Sequence, residues 1–200
     1  MHQQYPLVQL HILEHSGEAI PSLLQKQTVD FGIFGIYNSP DETQFIVPAH
    51  RQLSSPELFR SLQRTELYRD SIVCVMAKNH PLSASETLDI KQLETIPQTN
   101  YGTDITLLTS MHAVHVSTNA RIHQQFLLED GLVCCMPYQT FLTEFSDKNF
   151  ICRPVTDTAP VVYYLVYRKE IAAETKNLYS CLIETAQNID YKTITQKRGL

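Results

Sequence analysis

The sequence predicts an α/β protein, because segments with strand periodicity alternate with segments of helical periodicity along the chain. A nearly continuous apolar run at Val29–Phe34 and another at Ser71–Ala77 are typical of strands buried on both faces. The composition agrees, since 43% of the 200 residues are hydrophobic and 18% are charged, as in ordinary globular domains.

The N-terminal part predicts a strand, a helix and a second strand. Apolar and polar residues alternate over Val8–Ile12, the period of a half-buried strand. A helical stripe follows over Ala19–Leu24, where Pro21 fits only the first turn. Together with Val29–Phe34, these segments predict a βαβ unit, whose crossover is right-handed.

A long loop and a further helix are predicted next. Residues 38–55 are rich in Pro, Ser, Asp and Gln, which is typical of a surface loop. Ser55 then fits a helix N-cap, followed by Pro56 at the first helical position. We expect this helix to carry Leu58, Phe59 and Leu62 on its apolar face.

The C-terminal part continues the alternation. A helix after Thr118 is expected to bury Ile122, Phe126 and Leu127. Two further helices are predicted at Tyr138–Phe145 and Ile171–Ala186, and four strands at Thr95–Gln98, His112–Ser117, Leu132–Met136 and Val161–Tyr167.

Charge and hydropathy exclude several classes of protein. The net charge of −5 lacks the basic character of a nucleic-acid reader. No apolar run approaches the roughly 20 residues of a membrane-spanning helix, and the first residues do not resemble a signal peptide. We therefore expect a cytoplasmic protein without a membrane partner.

Neither catalysis nor a metal or cofactor is indicated. Phosphate-binding glycine motifs and a G-x-S-x-G elbow are absent from the sequence. On a strand, His112 and His115 would point to opposite faces and could not share an ion. The five cysteines form no C-x-x-C pair and are expected to be buried, reduced thiols.

Six segments, in order, resemble the effector-binding domain of the LysR-type transcriptional regulators. They are Tyr5–Leu10, Gln27–Ile33, Val75–Ser83, Leu88–Leu93, Glu129–Pro137 and Leu165–Lys169. The resemblance covers nearly the whole chain but begins after the family's winged helix-turn-helix, first strand and most of its first helix. We therefore expect DNA contact only through a portion that this chain lacks.

The resemblance implies two Rossmann-like lobes, similar to type II periplasmic binding proteins, with a ligand cleft between them. Lobe I would comprise residues 1–87 and 163–200, and lobe II residues 88–162. Without the first strand, apolar surface along Leu10 and Ile12 is expected to be exposed.

Residues that follow predicted strands are the candidate effector contacts, because ligands of open α/β sheets bind beyond the carboxyl ends of the strands. These residues carry hydroxyl, amide and phenol groups and include no lysine or arginine, which suits a small polar or aromatic effector. They are Gly35, Ile36, Tyr37, Thr99, Asn100, Tyr101, Gly102, Thr103, Pro137, Tyr138 and Gln139, with Gln98 and Thr140 beside them.

The sequence therefore predicts a non-enzymatic effector-sensing domain of a LysR-type regulator, which the resemblance implies to be a homodimer or tetramer in full-length form. One alternative is a solute-binding or transport receptor of the same fold. A truncated, non-functional reading frame is another, and an enzyme on a two-lobed α/β scaffold is a third.

Overall fold

The computed structural model describes residues 9–15, 19–37, 61–101, 113–117, 119–145, 147–170 and 173–188. These residues form strands and helices in the alternating order of an α/β fold. The strands are β1 Phe31–Tyr37, β2 Leu62–Asp70, β3 Ile72–Ala77, β4 Leu88–Asp89, β5 Gln98–Tyr101, β6 Ala113–Ser117, β7 Cys134–Pro137, β8 Phe150–Thr156 and β9 Val161–Arg168. The helices are α1 Ile20–Gln25, α2 Ile90–Leu93, α3 Ala120–Glu129, α4 Tyr138–Glu144 and α5 Ala173–Gln187, with a 3₁₀ helix at Pro81–Ala84.

Contacts divide the chain into two compact units. The first comprises the described residues within Met1–Phe34, Leu53–Tyr68 and Tyr164–Leu200, and the second those within Gly35–Gln52 and Arg69–Tyr163. β3 belongs to the second unit because it pairs with β7 and β8. The lobe boundaries near Leu88 and Tyr163 stay a prediction.

The first unit is built around the apolar face of α1. Leu24 is fully buried and packs with Leu62 and Val166 from strands β2 and β9. Arg168, near the end of β9, donates to the carbonyl of Leu24 at 2.6 Å. The Tyr179 hydroxyl hydrogen-bonds to Thr65 at 2.7 Å and to Tyr167 at 2.8 Å, which ties α5 to β2 and β9.

The second unit is built on a mixed sheet. Its strands follow the order β4-β8-β3-β7, with β3 antiparallel to both of its neighbours and β4 parallel to β8. The parallel pair β5-β6 joins this sheet through a bridge between Gln98 and Val133 and a 2.9 Å hydrogen bond from the Thr99 N–H to the Val133 carbonyl. Apart from β3, these strands therefore run in one direction.

Apolar side chains cover both faces of this sheet, and successive residues of β3 alternate between two clusters. Val73 and Val75 face a cluster that includes Leu127, Phe141 and Phe145. Ile72, Cys74 and Met76 face a second cluster that includes Leu88, Leu93 and Val161. The fully buried pattern of β3 is the reason that its sequence is continuously apolar.

Several predicted elements are confirmed. The β3 run, the strand after Asp30 and the strand over β9 all form, with bounds shifted by at most three residues. The helix over Tyr138–Glu144 forms as well, and Pro21 lies in the first turn of α1.

The predicted strand over Val8–Ile12 is wrong for its described residues. Residues 9–15 adopt no regular structure, and no described strand pairs with them. Leu10 and Ile12 are 54% and 82% exposed, as the loss of a neighbouring strand predicted. Alternating periodicity produces a strand only where a sheet offers an edge to pair with.

Two helix predictions need correction. Leu62 begins strand β2 and is buried against Leu24, whereas the sequence placed it on a helix; the proposed start at Ser55 lies outside the described residues. On α3, Leu127 is buried and Phe126 packs against the same cluster, as predicted, but Ile122 is 47% exposed because the buried stripe carries the adjacent His123 in its place. The periodicity counted histidine as polar and so selected Ile122 rather than its neighbour His123.

Strand β8 was not predicted, although it pairs with β3 along five residues. The strand contains Arg153 and Pro154, and a proline is normally confined to edge strands or bulges. Arg153 donates from its guanidinium to the Ser83 carbonyl at 2.7 and 3.2 Å. Arg153 therefore interrupts the apolar pattern of β8, and the residue to which it donates is distant in the sequence.

Candidate functional site

The candidate site lies along one edge of the sheet in the second unit. Because β5 and β7 run in parallel, their carboxyl ends, at Tyr101 and Pro137, lie at the same edge. β3 is antiparallel, so its amino end reaches this edge as well, with the Tyr138 N–H donating to the Ser71 carbonyl at 2.9 Å. Two of the predicted groups of residues, those after β5 and β7, are thus brought to one side of the sheet by strand direction, together with the amino end of β3.

Asp70 organises the beginning of helix α4. The Gln139 N–H donates to the Asp70 carboxylate at 2.9 Å, although the two residues are 69 positions apart. Burial raises the pKa of Asp70, while hydrogen bonds from the backbone of Gln139, Ser71 and Tyr138 act in the opposite direction. One backbone N–H of the first helical turn, which has no acceptor within the helix, is thereby hydrogen-bonded to a side chain of the same protein.

Tyr163 lies against Gly35 of β1, and Asp70 influences its ionisation. Burial, followed by the nearby Asp70, raises its pKa to about 12, whereas a hydrogen bond to the Thr140 side chain acts the other way. A Cβ atom at Gly35 would stand 2.7 Å from Val161 Cγ1 and 3.0 Å from the Tyr163 ring. Glycine at position 35 is therefore what allows the Tyr163 ring to lie against the backbone of β1.

The end of β5 contacts helix α3. Thr99 is fully buried, and its hydroxyl lies 3.4 Å from Nδ1 of His123, which is also fully buried. Burial lowers the pKa of His123 to about 4, while a hydrogen bond from its imidazole to the backbone carbonyl of Asn100 acts in the other direction. The neutral imidazole thus holds α3 against β5, and the Gln98 side chain donates to the Leu93 carbonyl at 2.9 Å.

The structure brings some of the predicted contacts together and leaves others apart. Gly35, Pro137, Tyr138, Gln139 and Thr140 lie around Asp70 and Tyr163, and Thr99 and Asn100 lie at His123. Ile36 and Tyr37 end β1, and Tyr101 ends β5. Gly102 and Thr103 lie outside the described residues. All eleven residues stay a prediction as effector contacts.

Sequence reasoning missed Asp70, Tyr163 and His123. Asp70 is the acidic residue that directly precedes the buried run of β3, and this position at a strand end was the one available indication. His123 stands one helical turn before Leu127, so a stripe that admitted histidine would have included it. Nothing in the sequence near Tyr163 points to Gly35 or Thr140, because both contacts are made through the fold.

The side chains around Asp70 determine which contacts the site can make with a ligand. The described side chains around Asp70 offer hydroxyl, amide and phenol groups together with a single carboxylate. Burial is also the main reason that the pKa of Tyr138 is raised, so both phenols are protonated at neutral pH. The arrangement can bind by hydrogen bonds and aromatic contact.

Asp70→Ala is expected to lower the free energy of unfolding by about 1–3 kcal/mol, the usual cost of leaving a buried donor without its acceptor. The loss should be accompanied by faster amide exchange at Gln139, since that N–H loses its 2.9 Å bond. Urea unfolding and residue-resolved hydrogen exchange measure the two effects. Asp130→Ala, at an exposed helix end, is the control, and equal exchange at Gln139 in both variants would contradict the assignment.

The described fold and site define a class: an α/β protein of the type II periplasmic-binding-protein-like kind, with polar groups collected at strand ends. The chain belongs to the family of the LysR substrate binding domain, whose model matches residues 1–187. It is accordingly the effector-binding domain of a LysR-type regulator, and this assignment does not favour the transport alternative. No curated protein matches the sequence.

Solved structures show the same fold. The reduced form of the OxyR regulatory domain from Pseudomonas aeruginosa has a TM-score of 0.71 at 12% identity, covering 94% of this chain and 87% of that one. A peroxide-bound OxyR mutant from Corynebacterium glutamicum has a TM-score of 0.68 at 17% identity, and the match covers 92% of this chain and 57% of that one. The regulatory domain of MetR, a LysR family regulator from N. meningitidis, has a TM-score of 0.60 at 17% identity, and the match covers 91% of this chain and 81% of that one.

No helix among the described residues is long and apolar enough to cross a membrane.

Proposed function

We propose that this chain senses a small polar or aromatic effector through the sheet edge that carries Asp70, Tyr138, Gln139, Thr140 and Tyr163. The observation that supports the proposal is the convergence of these residues at the carboxyl end of β7, where ligands of α/β sheets bind. Binding would use aromatic contact and hydrogen bonds to hydroxyl, amide and phenol groups, with the Asp70 carboxylate accepting donors from the effector. The cleft between the lobes stays a prediction.

The proposal includes a mode of action. A regulator responds to an effector to the extent that the effector binds one conformation more tightly than another, because only differential affinity shifts a conformational equilibrium. We propose that such a shift is passed to a DNA-binding portion outside this chain, in a cytoplasmic homodimer or tetramer. The chain itself is proposed to catalyse no reaction, and it should bind no operator at physiological salt.

Tyr138→Ala is expected to remove the stabilisation that an effector gives. The phenol of Tyr138 is half-buried at the start of α4, and its ring stacks on Phe141 with centroids 6.2 Å apart. A ligand at one hundred times its Kd adds about 2.7 kcal/mol to the free energy of unfolding. Thermal unfolding against a panel of neutral aromatics, polar small molecules and aromatic carboxylates identifies a compound that stabilises the wild type, and the variant is then measured with it.

Thr143→Ala is the matched control, because Thr143 lies on the same helix but is exposed, and its hydroxyl donates to the carbonyls of Gln139 and Thr140 in its own helix. The control should keep the full stabilisation. Retention of that stabilisation in Tyr138→Ala would remove this residue from the site, and a band shift of operator DNA by the isolated chain would refute the mode of action.

A further inference from the structure

Cys74 and Cys135 lie directly opposite each other on neighbouring strands. β3 and β7 are antiparallel, and their register pairs Ile72 with Pro137, Val73 with Met136 and Cys74 with Cys135. Both cysteines belong to the same apolar cluster on one face of the sheet. The side chains therefore emerge from adjacent strands at the same height and on the same side.

The hydrogen-bond phase of this strand pair can be derived from its first residues. The Tyr138 N–H donates to the Ser71 carbonyl at 2.9 Å, which makes the Ser71–Tyr138 pair a hydrogen-bonded one. Hydrogen-bonded and non-hydrogen-bonded pairs alternate along an antiparallel ladder. The next pair, Ile72–Pro137, is consequently non-bonded, in agreement with the missing N–H of proline, and two residues further on Cys74–Cys135 is non-bonded as well.

Non-bonded pairs bring side chains closest together. Their Cα atoms are separated by about 4.5 Å, and a disulfide requires a Cα separation of about 4.4–6.8 Å. The pKa of Cys74 agrees with this register, since a hydrogen bond with Cys135 is the largest cause, ahead of burial, that raises it. The backbone is thus already arranged for a bond between the two sulfur atoms.

The neighbouring cysteines provide an internal contrast. Cys134 and Cys152 share the opposite face and are both paired with Val75, from the strands on either side of β3. Two strands that flank a third are about 9.6 Å apart, twice the strand spacing. That distance exceeds the reach of a disulfide, so Cys134 and Cys152 cannot be joined while the sheet is intact.

We propose that Cys74 and Cys135 form a reversible inter-strand disulfide when the protein equilibrates with an oxidising thiol–disulfide pool. Two S–H bonds break and one S–S bond forms; the two electrons and two protons reduce one molecule of glutathione disulfide to two of glutathione. The cysteines are free in this structure, which represents the reduced form.

The bond would fasten β3 to β7 just before the edge that carries Asp70 and Tyr138. Exchange is slow in the closed sheet, because Cys74 is fully buried, Cys135 is 6% exposed, and only a thiolate attacks a disulfide. It proceeds when β7 opens locally or while the chain folds. The disulfide therefore forms and breaks slowly, and it stabilises the pairing of β3 with β7 rather than serving as a rapid sensor of oxidants.

The test refolds the full chain from urea in buffers of glutathione and glutathione disulfide, with far-UV circular dichroism as the check of refolding. Free thiols are then blocked with an alkylating reagent, and peptides are identified by mass spectrometry. We expect a bridge between Cys74 and Cys135 alone, so that free thiols fall from five to three and return to five with dithiothreitol. The oxidised form should also unfold at a higher urea concentration than the reduced form.

Cys135→Ala and Cys134→Ala are the matched variants, since these adjacent residues are buried on opposite faces. The bridge should survive in Cys134→Ala and disappear in Cys135→Ala. The proposal is overturned if refolded wild type keeps five free thiols at every glutathione ratio, or if the bridge joins any other pair. Should Cys135→Ala fail to refold, the peptides of the wild type and of Cys134→Ala decide the matter by themselves.

Discussion

Replacing Phe145 with alanine is expected to lower the free energy of unfolding by about 3–5 kcal/mol, the range for truncating a buried aromatic side chain. Phe145 is 2% exposed, and its ring contacts Phe141, Phe150 and His123 with centroids 6.2, 5.1 and 6.0 Å away. Since the net stability of a domain is about 5–15 kcal/mol, this single change should bring the second unit close to unfolding. Urea unfolding followed by far-UV circular dichroism measures the loss.

Two controls separate burial from other causes. Phe145→Leu keeps much of the apolar volume, so it should lose clearly less stability than alanine at the same position. Ile122→Ala changes a large apolar residue that the sequence placed in the core but that is 47% exposed, and its effect should be small. Similar losses for Phe145→Ala and Ile122→Ala would show that the core has been assigned to the wrong face of α3.

The stability of the protein is expected to fall as the pH is lowered from about 6.5 toward about 4, through the titration of His123. Burial lowers the pKa of this group in the folded state, so in this window the unfolded chain binds a proton that the folded protein does not. The stability that the neutral His123 contributes is therefore fully present above the pKa of the unfolded chain. It is lost as the pH falls toward the pKa of the folded protein. A shift from 6.5 to about 4 corresponds to roughly 3 kcal/mol.

His123→Gln removes the titrating group and serves as the comparison. Carboxylates titrate in both proteins, so the difference between their unfolding free energies isolates the histidine. The free energy of unfolding should be higher for the wild type than for the variant at neutral pH. The difference between the two free energies should become smaller as the pH falls, because only the wild type must keep a buried imidazole neutral. Urea titrations at several pH values measure this gap, and two parallel curves would rule out His123 as the source.

The candidate site could be predicted in part. Strand direction places Tyr138 and Gln139 at a carboxyl end, and the buried run of β7 followed by Pro137 made that position visible in the sequence. Asp70 could not be assigned in the same way, since its bond to Gln139 joins residues 69 positions apart. Such a contact depends on the pairing of β3 with β7, which no local pattern contains.

The α/β class, the buried strands β3 and β9 and the short helix α4 could be predicted from local patterns, because continuous apolar runs and helix signals are properties of neighbouring residues. Long-range contacts were needed to establish whether the alternating residues 9–12 form a strand, whether Ile122 or His123 is buried on α3, and which of two adjacent cysteines lies opposite Cys74. The physical reason is common to all three. A strand needs a partner edge, a buried histidine needs an acceptor or donor such as Thr99, and a change of one residue in register exchanges the two faces of a sheet.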